Sequence, residues 1–175
     1  MRIGSLFTGA GGLDMAVEMV LAPLDVRWYA EIDPRAAAVF AAHHSHAPNL
    51  GDLTVLDEGP PVDVVTAGFP CQPVSVAGSR RGTDDERWLF DDICRLVGRM
   101  DPRPRLLVLE NVVGLLTANG GRAMGRVVHG LAALGYVGSW RTLAAADVGA
   151  PHRRDRVFIV AAPADTSGVG RLEGP

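Results

Sequence analysis

The sequence predicts an α/β protein built on a doubly wound, mostly parallel β-sheet. Short apolar runs alternate with longer stretches of helical periodicity, and strands separated by helices are typical of parallel sheets with right-handed crossovers. The run over residues 62–67 is largely hydrophobic at consecutive positions, as expected of a strand covered on both faces. The 175 residues, 47% apolar and 21% charged, fit one globular domain and exclude a disordered or fibrous chain.

The elements follow from where the apolar runs start and stop. The first strand ends in a glycine-rich loop, and the second ends at Glu31-Ile32-Asp33-Pro34. We predict strands over residues 3–7, 26–30, 62–67, 105–109, 136–143 and 156–162. Helices are predicted over residues 13–21, 35–44, 86–100 and 121–134. Residues 1–162 then form the domain, and the polar, Gly-rich residues 163–175 form a disordered tail or the start of a missing segment.

Composition excludes several classes of protein. Two cysteines cannot build a disulfide framework and make a poor zinc site, so we expect no metal. No apolar run approaches the ~18 residues of a membrane span and no signal peptide is visible, which predicts a cytoplasmic protein without a membrane partner. All 17 basic residues are arginine, yet the net charge is −3. Charge alone therefore does not indicate nucleic-acid binding, which usually shows as a basic face.

The loop Phe7-Thr8-Gly9-Ala10-Gly11-Gly12 lies between a predicted strand and helix. Glycines there allow a ligand to approach the backbone, and a helix N-terminus favours a negative group. Glu31 follows at the end of the next strand, where a carboxylate can accept both ribose hydroxyls. The single short glycine turn favours an adenosine ligand without a pyrophosphate; the alternative is a structural turn beside a solvated glutamate.

Cys71 follows the third strand in the segment Gly68-Phe69-Pro70-Cys71-Gln72-Pro73. Flanking prolines stiffen this loop and hold the thiol at the carboxyl edge of the sheet, where a thiolate is a strong nucleophile. The alternative is a small buried apolar side chain, which is our interpretation of Cys94 in its apolar-periodic helix.

Two further groups are expected at the same edge. Glu110-Asn111 ends the fourth strand, and Glu110 could act as a general acid or simply form a cap or a salt bridge. Arg154 and Arg156 precede the last strand and are either ligand-binding or solvated. The run His43-His44-Ser45-His46 is more typical of a helix end than of a metal site.

Together these segments resemble the DNA (cytosine-5)-methyltransferase family. Residues 5–12 are similar to its first cofactor motif, although Ser5 stands where many members have Asp. Five more segments match in order: Tyr29-Ala30-Glu31-Ile32-Asp33, Gly51-Asp52-Leu53, residues 68–75 around Cys71, Glu110-Asn111-Val112, and Pro151-His152-Arg153-Arg154-Asp155-Arg156, where His152 replaces the usual Gln.

The resemblance implies a Rossmann-like methyltransferase fold that uses S-adenosylmethionine and acts on DNA. It implies that Cys71 attacks C6 of a flipped cytosine, that Glu110 holds N3, and that Arg154 and Arg156 contact the base or its backbone. The catalytic set so implied is Cys71, Glu110, Asn111, Arg154 and Arg156. The cofactor-binding set, with Glu31 on the ribose and Asp52 on the adenine amine, is Phe7, Thr8, Gly9, Gly11, Gly12, Glu31, Ile32, Asp52, Leu53 and Pro70.

The family continues beyond these motifs with a target-recognition region and two late motifs. We therefore expect the C-terminal part of the fold to be incomplete. The chain is then a truncated product, a remnant, or one subunit of a split enzyme whose second polypeptide carries the recognition region. The leading interpretation is the catalytic part of a bacterial or phage modification enzyme. The alternatives are a catalytically silent fragment, one subunit of a split enzyme, a dinucleotide-dependent oxidoreductase, and a tRNA cytosine-5 methyltransferase.

Overall fold

The computed structural model describes residues 1–70 and 88–164 of the chain. Its strands are β1 (Arg2–Leu6), β2 (Asp25–Ala30), β3 (Val64–Ala67), β4 (Leu106–Val112), β5 (Tyr136–Leu143) and β6 (Arg156–Pro163). Its α-helices are α1 (Gly12–Leu21), α2 (Pro34–His43), α3 (Leu89–Arg99), α4 (Gly114–Thr117) and α5 (Arg122–Ala133). The predicted tail lies almost entirely in residues 165–175, outside the described part.

The six strands form one sheet in the order β2-β1-β3-β4-β6-β5. The pairs β1–β2, β1–β3 and β3–β4 are parallel, which confirms the predicted mostly parallel sheet. β6 runs antiparallel to both β4 and β5. No long helix separates β5 from β6, and a parallel connection normally needs one.

Two apolar layers cover the sheet, as a doubly wound fold requires. One cluster contains Val17 of α1 and Phe40 of α2 together with Val64. The other contains side chains of α3, α4 and α5 together with Val65. Because neighbouring residues of a strand point to opposite faces, Val64 and Val65 show that the two clusters lie on opposite sides of the sheet.

One predicted boundary is wrong in a way that matters for function. The fourth strand was expected to stop before Glu110, but β4 continues to Val112. Its parallel ladder with β3 ends at Leu109, whereas its antiparallel ladder with β6 includes Glu110–Phe158 and Val112–Arg156. The pairing with β6 therefore carries Glu110 beyond the end of β3 while keeping it in regular backbone.

No helix among residues 1–70 and 88–164 is long and apolar enough to cross a membrane.

Gly4 of β1 provides a stability prediction. A Cβ at this position would lie 2.2 Å from Cζ2 of Trp28, a fully buried ring whose Nε1 donates to the carbonyl oxygen of Pro60 at 2.8 Å. Gly4→Ala should therefore lower the free energy of unfolding by ~1–3 kcal/mol through overpacking. Urea denaturation would measure the change.

Gly125→Ala is the matched control for this prediction. Gly125 lies exposed in α5, and a Cβ there would meet no atom within 4 Å. The substitution should raise stability by up to ~1 kcal/mol through helix propensity. A Gly4→Ala variant as stable as the native chain would contradict the packing argument.

Candidate active site

The glycine-rich loop joins β1 to α1 through an unusual backbone. Phe7 has a φ of 52°, and Gly9 and Gly11 have φ of 55° and 82°. Glycine adopts such angles freely, but a bulky residue such as Phe7 does so rarely, and strain of this kind clusters at functional sites. Gly11 is also the N-cap of α1, so the first helical N–H groups open onto this loop.

Glu31 is fixed beside the loop by backbone donors. Its Oε2 accepts from the N–H of Gly9 and its Oε1 accepts from the N–H of Asp33, both at 2.9 Å. A merely solvated glutamate, the structural alternative for this residue, would not have this geometry. The carboxylate is oriented by two loops and stays half-buried at the carboxyl end of β2.

Asn49 connects Glu31 to the next predicted motif, and the sequence analysis missed it. Its Nδ2 donates to the carbonyl oxygen of Glu31 at 3.0 Å, and its Oδ1 accepts from the N–H of Gly51 at 2.9 Å. The segments around Glu31 and Asp52 are therefore one connected unit. A polar residue shortly before Gly51-Asp52 was the available signal, but nothing in the sequence set it apart.

The remaining predicted cofactor residues have contrasting environments. Asp52 is exposed, and its Oδ1 accepts from the N–H of Thr54 at 2.8 Å. Ile32 is 72% exposed although it is a large apolar side chain, whereas Leu53 is packed in the core. The carbonyl oxygen of Leu53 accepts from the N–H of Leu56 and from Nη2 of Arg95. Pro70 is exposed at the end of the described segment.

A cleft of about 560 Å³ runs along the carboxyl edge of the parallel strands. It brings together part of the glycine-rich loop with Glu110, Arg154 and Arg156, and its wall also includes Gly68, Asp14 and Thr66. A Cβ on Gly68 would lie 3.4 Å from Oε2 of Glu110 and 3.7 Å from the carbonyl oxygen of Phe7. Gly68 thus lies between Glu110 and the start of the glycine-rich loop.

Glu110 forms an ion pair with Arg156 across the β4–β6 ladder. Nε of Arg156 lies 2.7 Å from Oε1 of Glu110, and both side chains are about one-quarter exposed, at 22% and 24%. This ion pair is the salt bridge that the sequence analysis gave as the alternative role of Glu110. It also orients the carboxylate in the cleft.

Arg154 lies in the same cleft in a strained conformation. Its φ is 42°, its side chain is exposed, and it makes no hydrogen bond or ion pair with any residue in the two described segments. An arginine with five donors and no such partner is well suited to bind an anionic or polar group.

Asn111 lies beneath the site rather than in it. The side chain is 2% exposed, and its Nδ2 donates to the carbonyl oxygen of Phe69 at 2.9 Å. This bond fixes the chain two residues before Cys71. Cys71 itself lies outside the described residues, so its predicted role remains a prediction.

A buried polar cluster underlies the cleft, and the sequence analysis did not identify it. Both oxygens of Asp14 accept hydroxyl hydrogen bonds, from Ser5 Oγ at 2.8 Å and from Thr66 Oγ1 at 2.5 Å. Burial raises the pKa of Asp14, while these hydroxyl bonds and His44 act in the opposite direction. The available signal was an acidic residue within the apolar start of a helix.

Two further predictions concern Cys94 and metal binding. Cys94 is partly buried on α3, and desolvation raises the pKa of its thiol to about 12, which fits the structural role expected of it. No group of three or more His, Cys, Asp or Glu within residues 1–70 and 88–164 is arranged to hold a metal.

The described residues fit an adenosine-type cofactor such as S-adenosylmethionine. A cleft of about 560 Å³ is within the usual size of ligand pockets, ~300–1,000 Å³. A Cβ added at Gly12 would meet no protein atom within 4 Å, so the cleft wall is open there. Glu31 would hold the ribose, and the loop with Phe7 would hold the rest of the cofactor.

Comparisons with known proteins identify the family of this chain. The family model for C-5 cytosine-specific DNA methylases matches residues 1–169. Type II methyltransferase M2.BsuMI of Bacillus subtilis (strain 168) is 34% identical over 164 residues, which cover 92% of this chain and 42% of that protein. Type II methyltransferase M.DsaV of Dactylococcopsis salina is 36% identical over 163 residues, covering 91% of this chain and 45% of that protein.

Solved structures support the fold. A putative DNA modification methyltransferase encoded within an E. coli prophage is 25% identical, with a TM-score of 0.74, covering 93% of this chain and 47% of that one. The S. pombe Dnmt2 methyltransferase is 22% identical, with a TM-score of 0.72, covering 93% and 51%. The chain thus spans about half the length of the proteins it matches. Within that span, it belongs to the C-5 cytosine-specific DNA methylase family, whose cofactor is S-adenosylmethionine.

Proposed function

We propose that this chain transfers the methyl group of S-adenosylmethionine to C5 of cytosine in DNA, within a bacterial or phage modification system. One observation carries the proposal. The ion pair of Glu110 and Arg156 faces the glycine-rich loop across a single cleft, next to the strand that leads into Cys71. The family match and the Type II methyltransferase relatives support the same reaction.

The reaction requires a nucleophile at C6 and a proton donor at N3, which are opposite atoms of the pyrimidine ring. Cys71 forms a bond from its sulfur to C6 while Glu110 places a proton on N3, which moves the ring electrons toward C5. S-adenosylmethionine, when bound, supplies an electrophilic methyl group. After C5 takes this methyl group, with S-adenosylhomocysteine as the leaving group, loss of the C5 proton to solvent expels the Cys71 thiolate. N3 returns its proton to Glu110, and the aromatic ring is restored.

The other residues of the cleft support these two. Arg156 holds Oε1 of Glu110, and Asn111 anchors the backbone before Cys71 through the Phe69 carbonyl. Arg154 contacts the target base or its phosphodiester backbone. The base must leave the duplex first, at a cost of a few kcal/mol.

Product analysis tests the reaction. The protein is incubated with duplex DNA and methyl-labelled S-adenosylmethionine, and the DNA is hydrolysed for mass spectrometry. We expect label in 5-methylcytosine. Label in N4-methylcytosine or N6-methyladenine, or exclusively in a tRNA substrate, would contradict the proposal.

Cofactor choice is tested independently by calorimetry. S-adenosylmethionine and S-adenosylhomocysteine should bind, whereas NAD should not, because the short loop and Glu31 offer one nucleoside site and no second phosphate site. Glu31→Gln should weaken the binding of both S-adenosylmethionine and S-adenosylhomocysteine. A heat of binding for NAD with none for S-adenosylhomocysteine would favour an oxidoreductase instead.

DNA is the proposed partner, and the predicted second polypeptide with a recognition region stays a prediction. The net charge of −3 indicates weak non-specific DNA binding, which should fall further as salt rises. Base contacts provide sequence specificity. Adding a candidate partner should therefore raise both affinity and site selectivity in the methylation assay.

A further inference from the structure

The inference concerns the charges that line the cleft, and it rests on the function proposed above. Among the described residues, four charged side chains line it: Asp14, Glu110, Arg154 and Arg156. Glu110 and Arg156 pair with each other at 2.7 Å. Asp14 makes no ion pair with another residue in the described part of the chain; its hydrogen-bond partners there are two neutral hydroxyls.

The hydrogen bonds of Asp14 fit an ionised carboxylate. Burial raises the pKa of Asp14, and the hydrogen bonds from Ser5 Oγ to Oδ2 and from Thr66 Oγ1 to Oδ1, together with His44, act against that rise and favour the ionised form. The Thr66 bond, at 2.5 Å, is in the range of hydroxyl–carboxylate bonds, ~2.5–2.7 Å. The side chain is 5% exposed, so water screens its charge poorly.

The two hydroxyls also fix the position of this charge. Ser5 belongs to β1, Thr66 to β3 and Asp14 to the first turn of α1. The carboxylate is thereby held where β1, β3 and α1 meet under the cleft. A buried negative charge in a ligand cleft favours a cationic ligand over a neutral analogue of the same shape.

We propose that Asp14 is a specificity-determining residue that makes the cleft prefer the sulfonium form of the cofactor over the demethylated product. S-adenosylmethionine and S-adenosylhomocysteine share an adenosine, a carboxylate and an ammonium group. They differ by one methyl group and by the positive charge on sulfur. The buried carboxylate stabilises that charge through the low-dielectric floor of the cleft and so assists exchange of product for fresh cofactor.

Calorimetry of both ligands with the native protein and Asp14→Asn tests the proposal. Asparagine keeps the size and an acceptor oxygen but removes the charge. The ratio of the S-adenosylhomocysteine Kd to the S-adenosylmethionine Kd should fall about tenfold in the variant. Glu18→Gln is the matched control, since it removes the same charge from an exposed position of the same helix, and it should leave the ratio unchanged.

A double variant distinguishes the effect of the carboxylate charge from the effect of a disturbed local structure. Because the side chains of Ser5 and Asp14 are in direct contact, Ser5→Asp combined with Asp14→Ser returns a carboxylate to the same cluster from the strand side. This exchange should restore the native ratio, and thermal unfolding would show that each variant is folded.

The outcomes distinguish this inference from the proposed function. If the native protein binds neither ligand, the proposed function fails and the inference fails with it. If the native protein binds both, and folded Asp14→Asn keeps the native ratio, only the role of Asp14 is overturned. A purely structural role would weaken both ligands equally, and that result would also overturn it.

Discussion

Replacing Cys71 with serine is expected to abolish the covalent complex between this protein and DNA that contains 5-fluorocytosine. After addition of the thiolate to C6 and methylation of C5, the fluorine cannot leave as a proton does, so the native protein stays attached. A serine hydroxyl is not ionised near neutral pH and does not add to C6. The measurement is a denaturing gel that separates free protein from the cross-linked complex.

Cys94 provides the matched control, because it is the second of the two cysteines. Burial raises the pKa of its thiol to about 12, so almost no thiolate exists there at pH 8. Cys94→Ser should therefore form the complex as the native protein does. A complex that survives Cys71→Ser, or no complex with the native protein, would contradict the covalent mechanism.

Removing the acidic function of Glu110 should produce the second largest loss of covalent complex formation, after Cys71→Ser. Glu110→Gln keeps the shape of the side chain but cannot deliver a proton to N3, and the loss of a general acid typically costs ~10²–10⁴-fold in rate. The rate of complex formation with 5-fluorocytosine DNA under single-turnover conditions measures the effect on the steps up to methylation.

Arg156 should act through Glu110, because its Nε holds Oε1 at 2.7 Å. Arg156→Ala is expected to slow the same step, and its effect should be much smaller when Glu110→Gln is already present, since contacting residues couple. Arg153→Ala is the control: its side chain is 83% exposed and pairs with Asp155 at 3.3 Å. Additive effects of the Glu110 and Arg156 substitutions would contradict this coupling.

The sequence predicted the parts of the site that depend on local pattern. The glycine-rich loop and Glu31 could be placed because each directly follows an apolar strand, and parallel strands bring their carboxyl ends to one edge. Placing Glu110 at that edge required the fourth strand to lie beside the third, and the two strands do pair in parallel.

The parts that sequence could not predict depend on long-range contacts. Thr66 and Asp14 are 52 positions apart, and Asn111 and Phe69 are 42 apart. Nothing local marks such partners, because each residue alone fits an ordinary turn or helix. The position of β6 between β4 and β5 was missed for the same reason, and with it the extension of β4 through Glu110.

The inserted position of β6 has a consequence for the nascent chain on the ribosome. Strands β1 to β4 can pair as they emerge, but within the described residues the strand partner of β5 is β6. Until Pro163 has left the exit tunnel, β4 therefore keeps an open edge and β5 has no neighbour. Unpaired edges of this kind favour association with other chains. Translational pausing before Arg156 should thus raise aggregation, whereas a pause after the last strand should not.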